Sequence, residues 1–105
     1  MAPGEEEAMM SRFVTDYLSL LNQRVITIQA QLRAGNEMNA QVAMLSLEST
    51  STMVGAREMA QIVGKLRTAL EVGDHTHFAE LGRAMVAEAR RVPMLLTHDD
   101  GVVAP

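Results

Sequence analysis

The chain has 105 residues, enough for one domain, and its net charge of −4 without a basic stripe disfavours a nucleic-acid partner. It contains no cysteine, which excludes disulfide bonds, a thiolate nucleophile and a cysteine-based metal site. Hydrophobic residues make up 48% of the chain but aromatic residues only 3%, and nine methionines with many alanines and leucines favour helices. We therefore expect an all-α domain.

The N-terminus is acidic where a secretory signal would be basic, and the longest apolar run is far shorter than the ~18 residues of a membrane span. We expect a cytoplasmic protein with no membrane contact. The sequence carries no glycine-rich phosphate loop, nucleophile elbow, zinc-protease helix or paired-carboxylate motif. We therefore expect neither enzymatic activity nor a cofactor.

The first predicted helix covers about residues 5–32 and ends at Gly35, a residue typical of the position after a helix. Its apolar stripe comprises Phe13, Tyr17, Leu20, Leu21, Val25, Ile28 and Leu32. Further apolar residues, Val14, Leu18 and Ile26, lie beside that stripe. The apolar face is wider than one bundle seam requires, which predicts contact with a second molecule, such as a homo-oligomer formed through this helix.

The second predicted helix covers residues 38–54, and Asn36 is expected to cap it through its side-chain oxygen. Its buried stripe comprises Ala40, Ala43, Met44, Leu47, Ser51 and Val54. The opposite stripe, expected to face water, comprises Gln41, Leu45, Glu48, Ser49 and Thr52. The hydroxyls of residues 46–52 are expected to bond back to carbonyls one turn earlier, because no histidine stands nearby to activate a serine.

Two more helices follow, with Gly55 and Gly73 ending the second and third. The third helix has the stripe Met59, Val63, Leu66 and Leu70, and the fourth has Phe78, Leu81, Met85, Ala89 and Val92. Gly64 and Gly82 are expected at close contacts with neighbouring elements. Asp74 is expected to cap the fourth helix and Pro93 to end it.

Four amphipathic helices with short connections predict an antiparallel up-down four-helix bundle. We expect one domain over residues 1–105, with the bundle at about 5–92 and a partly ordered tail at 93–105.

The segment from Leu45 to Ala56 resembles the signature helix of the histidine phosphotransfer (Hpt) domain, a phosphorelay module of two-component signalling. That family carries His-x-Leu-Lys-x-Ser, then small residues and Gly-Ala. When Gly55 and Ala56 are aligned with Gly-Ala, the family's leucine falls on Leu47. The phosphoacceptor histidine falls on Leu45 and the lysine on Glu48. The resemblance is tight over residues 43–74 and looser over 13–92.

The resemblance implies an Hpt-like bundle, a pseudo-Hpt, whose partner is a response-regulator receiver domain or a sensor kinase. Leucine has no lone pair to accept a phosphoryl group, and a carboxylate at position 48 would repel one. The expected docking residues are Gln41, Leu45, Glu48, Ser49 and Thr52. Three alternatives stay open: Leu45 as an ordinary exposed residue, a structural or oligomerising helical module, and a phosphotransferase that uses another histidine.

The other histidines are His75 and His77, beside Asp74 and Glu80, and His98 near the C-terminus. A His-x-His pair with carboxylates can bind a transition metal. Loop solvation and helix capping explain these residues more simply, so we expect no metal site. A loop also lacks the rigid presentation that phosphoryl transfer to His75 or His77 would need.

Overall fold

The computed structural model describes residues 3–101 and shows four α-helices and no strand in that range. They are α1 (Pro3–Arg33), α2 (Glu37–Met53), α3 (Arg57–Val72) and α4 (Phe78–Gly101). The predicted all-α four-helix bundle is confirmed. The up-down order of the helices stays a prediction, favoured by connections of three, three and five residues. No helix in residues 3–101 has the length and apolar character to span a membrane.

One core joins all four helices, and most of the predicted stripes supply it. Its buried apolar residues are Tyr17, Leu21, Val25, Ile28, Ala40, Met44, Leu47, Val54, Ala56, Met59, Val63, Leu66, Leu70, Met85, Ala89 and Val92. Leu20 was placed on the α1 stripe and is instead exposed. It lies about 100° around the helix from Leu21, outside the arc that meets the core. Of the three apolar residues predicted beside that stripe, Val14 and Leu18 pack partly buried against the core and Ile26 is exposed.

The first three helices end as predicted, each at a glycine with positive φ. These are Gly35, Gly55 and Gly73, with φ of 76°, 82° and 75°. At Gly55, the amide of Ala56 donates to the Ser51 carbonyl at 2.8 Å and the glycine amide donates to the Thr52 carbonyl at 3.2 Å. This hydrogen-bonding pattern needs a left-handed residue after the helix, which glycine adopts without steric cost.

Two predicted side-chain caps are wrong. Asn36 precedes α2, but its side-chain amide donates to Gln31 Oε1 at 2.9 Å and makes no cap hydrogen bond. Asp74 accepts a hydrogen bond from the Thr76 amide at 3.0 Å and lies four residues before α4 begins at Phe78, so it orders the α3–α4 connection. The hydrogen bonds from Thr76 hold the pKa of Asp74 below its usual value. The Asn36 side chain is bonded back to α1 and the Asp74 side chain to the backbone two residues on, and each of these bonds competes with capping.

The predicted end of α4 at Pro93 is also wrong, because the helix continues to Gly101. Val92 is buried and Leu96 packs partly buried against the core. Together they extend the α4 stripe across the proline, so apolar burial offsets the ~3 kcal/mol that an interior proline costs. Residues 93–101 of the predicted tail are therefore helical, and 102–105 lie outside the described range. Gly82 is not a close contact, since a Cβ there would meet nothing within 4 Å.

Candidate docking surface on α2

The outer side of α2 carries the residues that the sequence placed there. Leu45 is 51% exposed at the centre of this side. Ser49 and Thr52 are exposed, whereas Gln41 and Glu48 are half-buried. The stripe is therefore on the surface as predicted, with its two half-buried members on one edge. Whether these residues bind a partner stays a prediction.

Two further exposed apolar residues lie on the same side of α2 in its first two turns and were missed by the sequence reasoning. Met38 is 80% exposed and Val42 is 65% exposed. They precede Leu45 by seven and three residues, so all three project from one side of the helix. We call Met38, Val42 and Leu45 the outer strip. Their spacing of four and three residues is the sequence signal that marks this surface.

Glu48 marks the edge of the outer strip that faces α3. Its Oε1 accepts a hydrogen bond from Arg67 Nε at 2.8 Å, and both side chains are about 30% exposed, at 27% and 29%. This contact raises the pKa of Arg67. Arg67 Nη1 also lies 3.7 Å from Glu71 Oε2. The Glu48 charge is thus compensated within the molecule and directed toward α3.

Gly64 makes room for that carboxylate. A Cβ built at position 64 would lie 2.9 Å from Glu48 Oε2. The close approach predicted at Gly64 therefore exists, and the group that approaches is the end of the Glu48 side chain. Glu48, Gly64 and Arg67 line an open groove that continues toward His77 and Leu81. Ion-paired surface groups line the groove. Among its described lining residues, no nucleophile is hydrogen-bonded to a base.

The hydroxyls of α2 divide into two groups. Thr50 and Thr52 donate to the carbonyls of Ser46 and Glu48, each at 2.9 Å, as predicted for self-satisfied helix residues. Thr50 Oγ1 also accepts Arg24 Nη1 at 3.0 Å, which joins α2 to α1.

Ser51 differs, because its Oγ shares a 2.7 Å hydrogen bond with the Tyr17 hydroxyl inside the core. Burial raises the pKa of Tyr17, and this hydrogen bond opposes that shift only in part. No buried side-chain nitrogen or oxygen in the described residues lacks a hydrogen-bond partner. The polar core is structural, because each of its groups is occupied by another protein group.

The histidines of the α3–α4 connection make only local contacts. The His75 ring packs edge-on against Phe78 with centroids 5.3 Å apart, and His77 Nδ1 lies 3.4 Å from Glu80 Oε2. Within the described part of the chain, no three His, Cys, Asp or Glu side chains come together as a metal site would require. The His98 side chain lies outside what the structure describes.

Comparisons of the chain with protein-family models, with curated proteins and with solved structures found no match.

The exposed side of α2 offers an uncharged apolar surface on a firmly packed helix. Such a surface can bind another protein, and Leu45 at its centre has no atom able to accept a phosphoryl group.

Proposed function

We propose that this chain is an Hpt-like protein of two-component signalling that has lost its phosphoacceptor histidine. In this proposal it binds a response-regulator receiver domain or a sensor kinase without carrying phosphate. The observation that carries the proposal is the exposure of Leu45, the residue aligned with the family's phosphoacceptor. A residue that served only to pack the core would be buried and not exposed on this surface.

The outer strip supports docking more strongly than Leu45 alone. Three neighbouring apolar side chains, each at least half exposed, form a continuous contact surface along two turns of α2. A single exposed leucine is common on soluble proteins, but a continuous exposed apolar surface typically marks an interaction site. Helix-in-groove recognition uses apolar anchors at this spacing.

The electrostatics of the strip favour a partner that need not be phosphorylated. Glu48 is ion-paired with Arg67, so its repulsion of an acidic receiver pocket is smaller than the sequence alone implied. Met38, Val42, Leu45, Ser49 and Thr52 carry no charge. We therefore expect binding to depend little on ionic strength and on the phosphorylation state of the receiver.

The test is a titration of ¹⁵N-labelled protein with unphosphorylated receiver and kinase domains. We expect amide shifts to cluster on α2 between Met38 and Thr52. Leu45→Ala should weaken binding about tenfold, which corresponds to ~1.4 kcal/mol. Ile26→Ala is the matched control, because Ile26 is 56% exposed on α1. Shifts elsewhere, or equal losses in both variants, would contradict docking through α2.

A second assay separates docking from phosphotransfer. The protein is incubated with a phosphorylated receiver and then examined for acid-labile phosphate. We expect no label, because the α2 surface has no imidazole. Label on His75 or His77 would replace this proposal with a phosphotransferase.

A structural or oligomerising helical module is the second candidate. It is favoured by exposed apolar residues near the start of α1, such as Met10. Absence of binding to any receiver or kinase domain in the titration would support this candidate over the first.

A further inference from the structure

The first helix is much longer than the two central helices. At 1.5 Å per residue, the 31 residues of α1 span about 46 Å, whereas α2 and α3 span about 25 Å. The hydrogen bond from Tyr17 to Ser51 places Tyr17 within one turn of the end of α2 at Met53. The first three turns of α1 therefore extend past the α2–α3 connection.

The overall dimensions agree with such an extension. The radius of gyration is 15.2 Å, and the longest extent is 46 Å. A compact domain of this length has a radius of gyration near 13 Å. The difference is the expected effect of helix ends that project from one side of the bundle.

The apolar stripe of α1 continues into the projecting part. Along this stripe, Ile28, Leu21 and Tyr17 are buried, Val14 is half-buried, and Met10 is 50% exposed. Met10 precedes Tyr17 by seven residues, two helical turns, and so lies on the core-facing side. The stripe thus extends beyond the helices that cover it.

The end of α4 reaches the same region if the helices alternate in direction as predicted. Glu88 lies near enough to Tyr17 to act on its pKa, and α4 continues for 13 residues beyond it. In that continuation Leu96 is half-buried and Leu95 is 52% exposed. One end of the molecule therefore presents two helices whose core-facing side is only partly covered.

We propose that a second copy of this chain covers this end, which we call the open end: residues 4–14 of α1 and 93–96 of α4. Two helices from each copy, related by a two-fold axis, complete a four-helix layer. The same apolar positions meet on both sides, so the interface is self-complementary. Met10 of each copy lies near the centre of the interface, where it loses its contact with water.

Charge at the open end favours a second copy over another apolar partner. Glu7 lies at the projecting tip of α1, on the flank of its core-facing side. Arg57, the first residue of α3, lies at the base of the open end, beside the α2–α3 connection. A two-fold axis brings the tip of one copy to the base of the other, so these acidic and basic groups meet between copies.

The test is the molar mass of the full chain by sedimentation equilibrium. We expect a dimer of about 23 kDa, twice the chain mass of 11.5 kDa. Met10→Glu should raise the dimer dissociation constant at least tenfold, because it places a carboxylate in the apolar interface. Ile26→Glu is the control, since Ile26 is similarly exposed on α1 but lies outside the open end. A protein that is still monomeric at a chain concentration of ~1 mM would have a dissociation constant too large for a useful dimer, and this result would overturn the proposal.

A charge-exchange experiment tests the two-fold arrangement itself. Glu7→Arg and Arg57→Glu should each weaken the dimer, and the double variant should recover most of the wild-type affinity. A double variant weaker than both single variants would show that tip and base do not meet, and would overturn this arrangement. The receiver titration tests docking separately from dimerisation, because Met10→Glu leaves the outer strip of α2 intact. Loss of dimerisation and loss of docking are therefore separate results.

Discussion

The two sides of α2 have similar apolar residues and opposite environments. Ala40, Met44 and Leu47 on the inner side are fully buried, whereas Met38, Val42 and Leu45 on the outer side are at least half exposed. An ordinary amphipathic helix of a soluble protein pairs an apolar side with a polar one. Helix α2 therefore has more apolar surface than its own fold buries.

Burial of the inner apolar residues stabilises the fold, whereas the exposed outer apolar residues make no such contribution. Full burial of a leucine or methionine side chain contributes roughly 1.5–3 kcal/mol. The inner residues supply that contribution within the chain. The outer residues can supply it only when another molecule covers them, which supports the proposal that they bind a partner.

The largest expected effect separates two leucines that are two residues apart. Leu47→Ala should lower the free energy of unfolding by about 2–5 kcal/mol, because Leu47 is fully buried and its truncation leaves a cavity in the core. Leu45→Ala should change it by less than about 0.5 kcal/mol, because no core contact is lost. Urea unfolding followed by circular dichroism measures both variants. Equal destabilisation would erase the distinction between the two sides.

The next effect concerns the polar contact on the inner side. Tyr17→Phe should cost about 1–3 kcal/mol, because Ser51 Oγ then remains buried without its partner. Ser51→Ala in the Tyr17→Phe background should cost less than the sum of the two single changes. This double-mutant cycle isolates the coupling between the two hydroxyls. Additive costs would show that the hydrogen bond contributes nothing specific.

Tyr17 also makes the stability of the protein depend on pH in alkaline solution. Burial raises the pKa of Tyr17 in the folded protein above the ordinary tyrosine value of 10.0. Above that value the unfolded chain loses the phenolic proton while the folded chain keeps it, so stability falls as pH rises. Below it the contribution of Tyr17 is fully present. Urea unfolding between pH 8 and about 11 should show a decline that is smaller in Tyr17→Phe.

The smallest effect lies on the edge between the two sides, at Gly64. Alanine is the better helix former by about 1 kcal/mol, but its Cβ would displace the Glu48 carboxylate from its place beside Arg67. We expect Gly64→Ala to be nearly neutral in the wild-type protein and stabilising by about 1 kcal/mol in a Glu48→Ala background. Thermal unfolding of the four variants measures this difference. The same gain in both backgrounds would mean that Glu48 does not occupy the space above Gly64.

Much of the fold was predictable because it depends on local patterns. The buried residues of α2 and α3 follow helical periodicity, and the three glycines after helices mark positions where left-handed backbone is required. The end of α4 was not predictable from Pro93 alone. Burial of Val92 and packing of Leu96, which outweigh the local cost of proline, depend on tertiary contacts.

The candidate site was predictable only in part. Leu45 could be placed on the surface because Gln41, Glu48 and Ser49, three or four residues away, are polar. The partner of Glu48 could not be identified, since Arg67 is 19 positions later and many registers between α2 and α3 were open. Met38 and Val42 were visible in the sequence, but assigning them required knowing that no other helix covers that side of α2.

The ion pair between Glu48 and Arg67 sets a condition for restoring histidine chemistry to this scaffold. Leu45→His would supply an imidazole, and Glu48→Lys would supply the cation of the Hpt pattern. That lysine would enter the space above Gly64 and face Arg67, a second positive charge, at the distance now occupied by a carboxylate. Placing a histidine and a lysine on this surface is therefore expected to need a third, compensating change on α3 in addition to the two changes on α2.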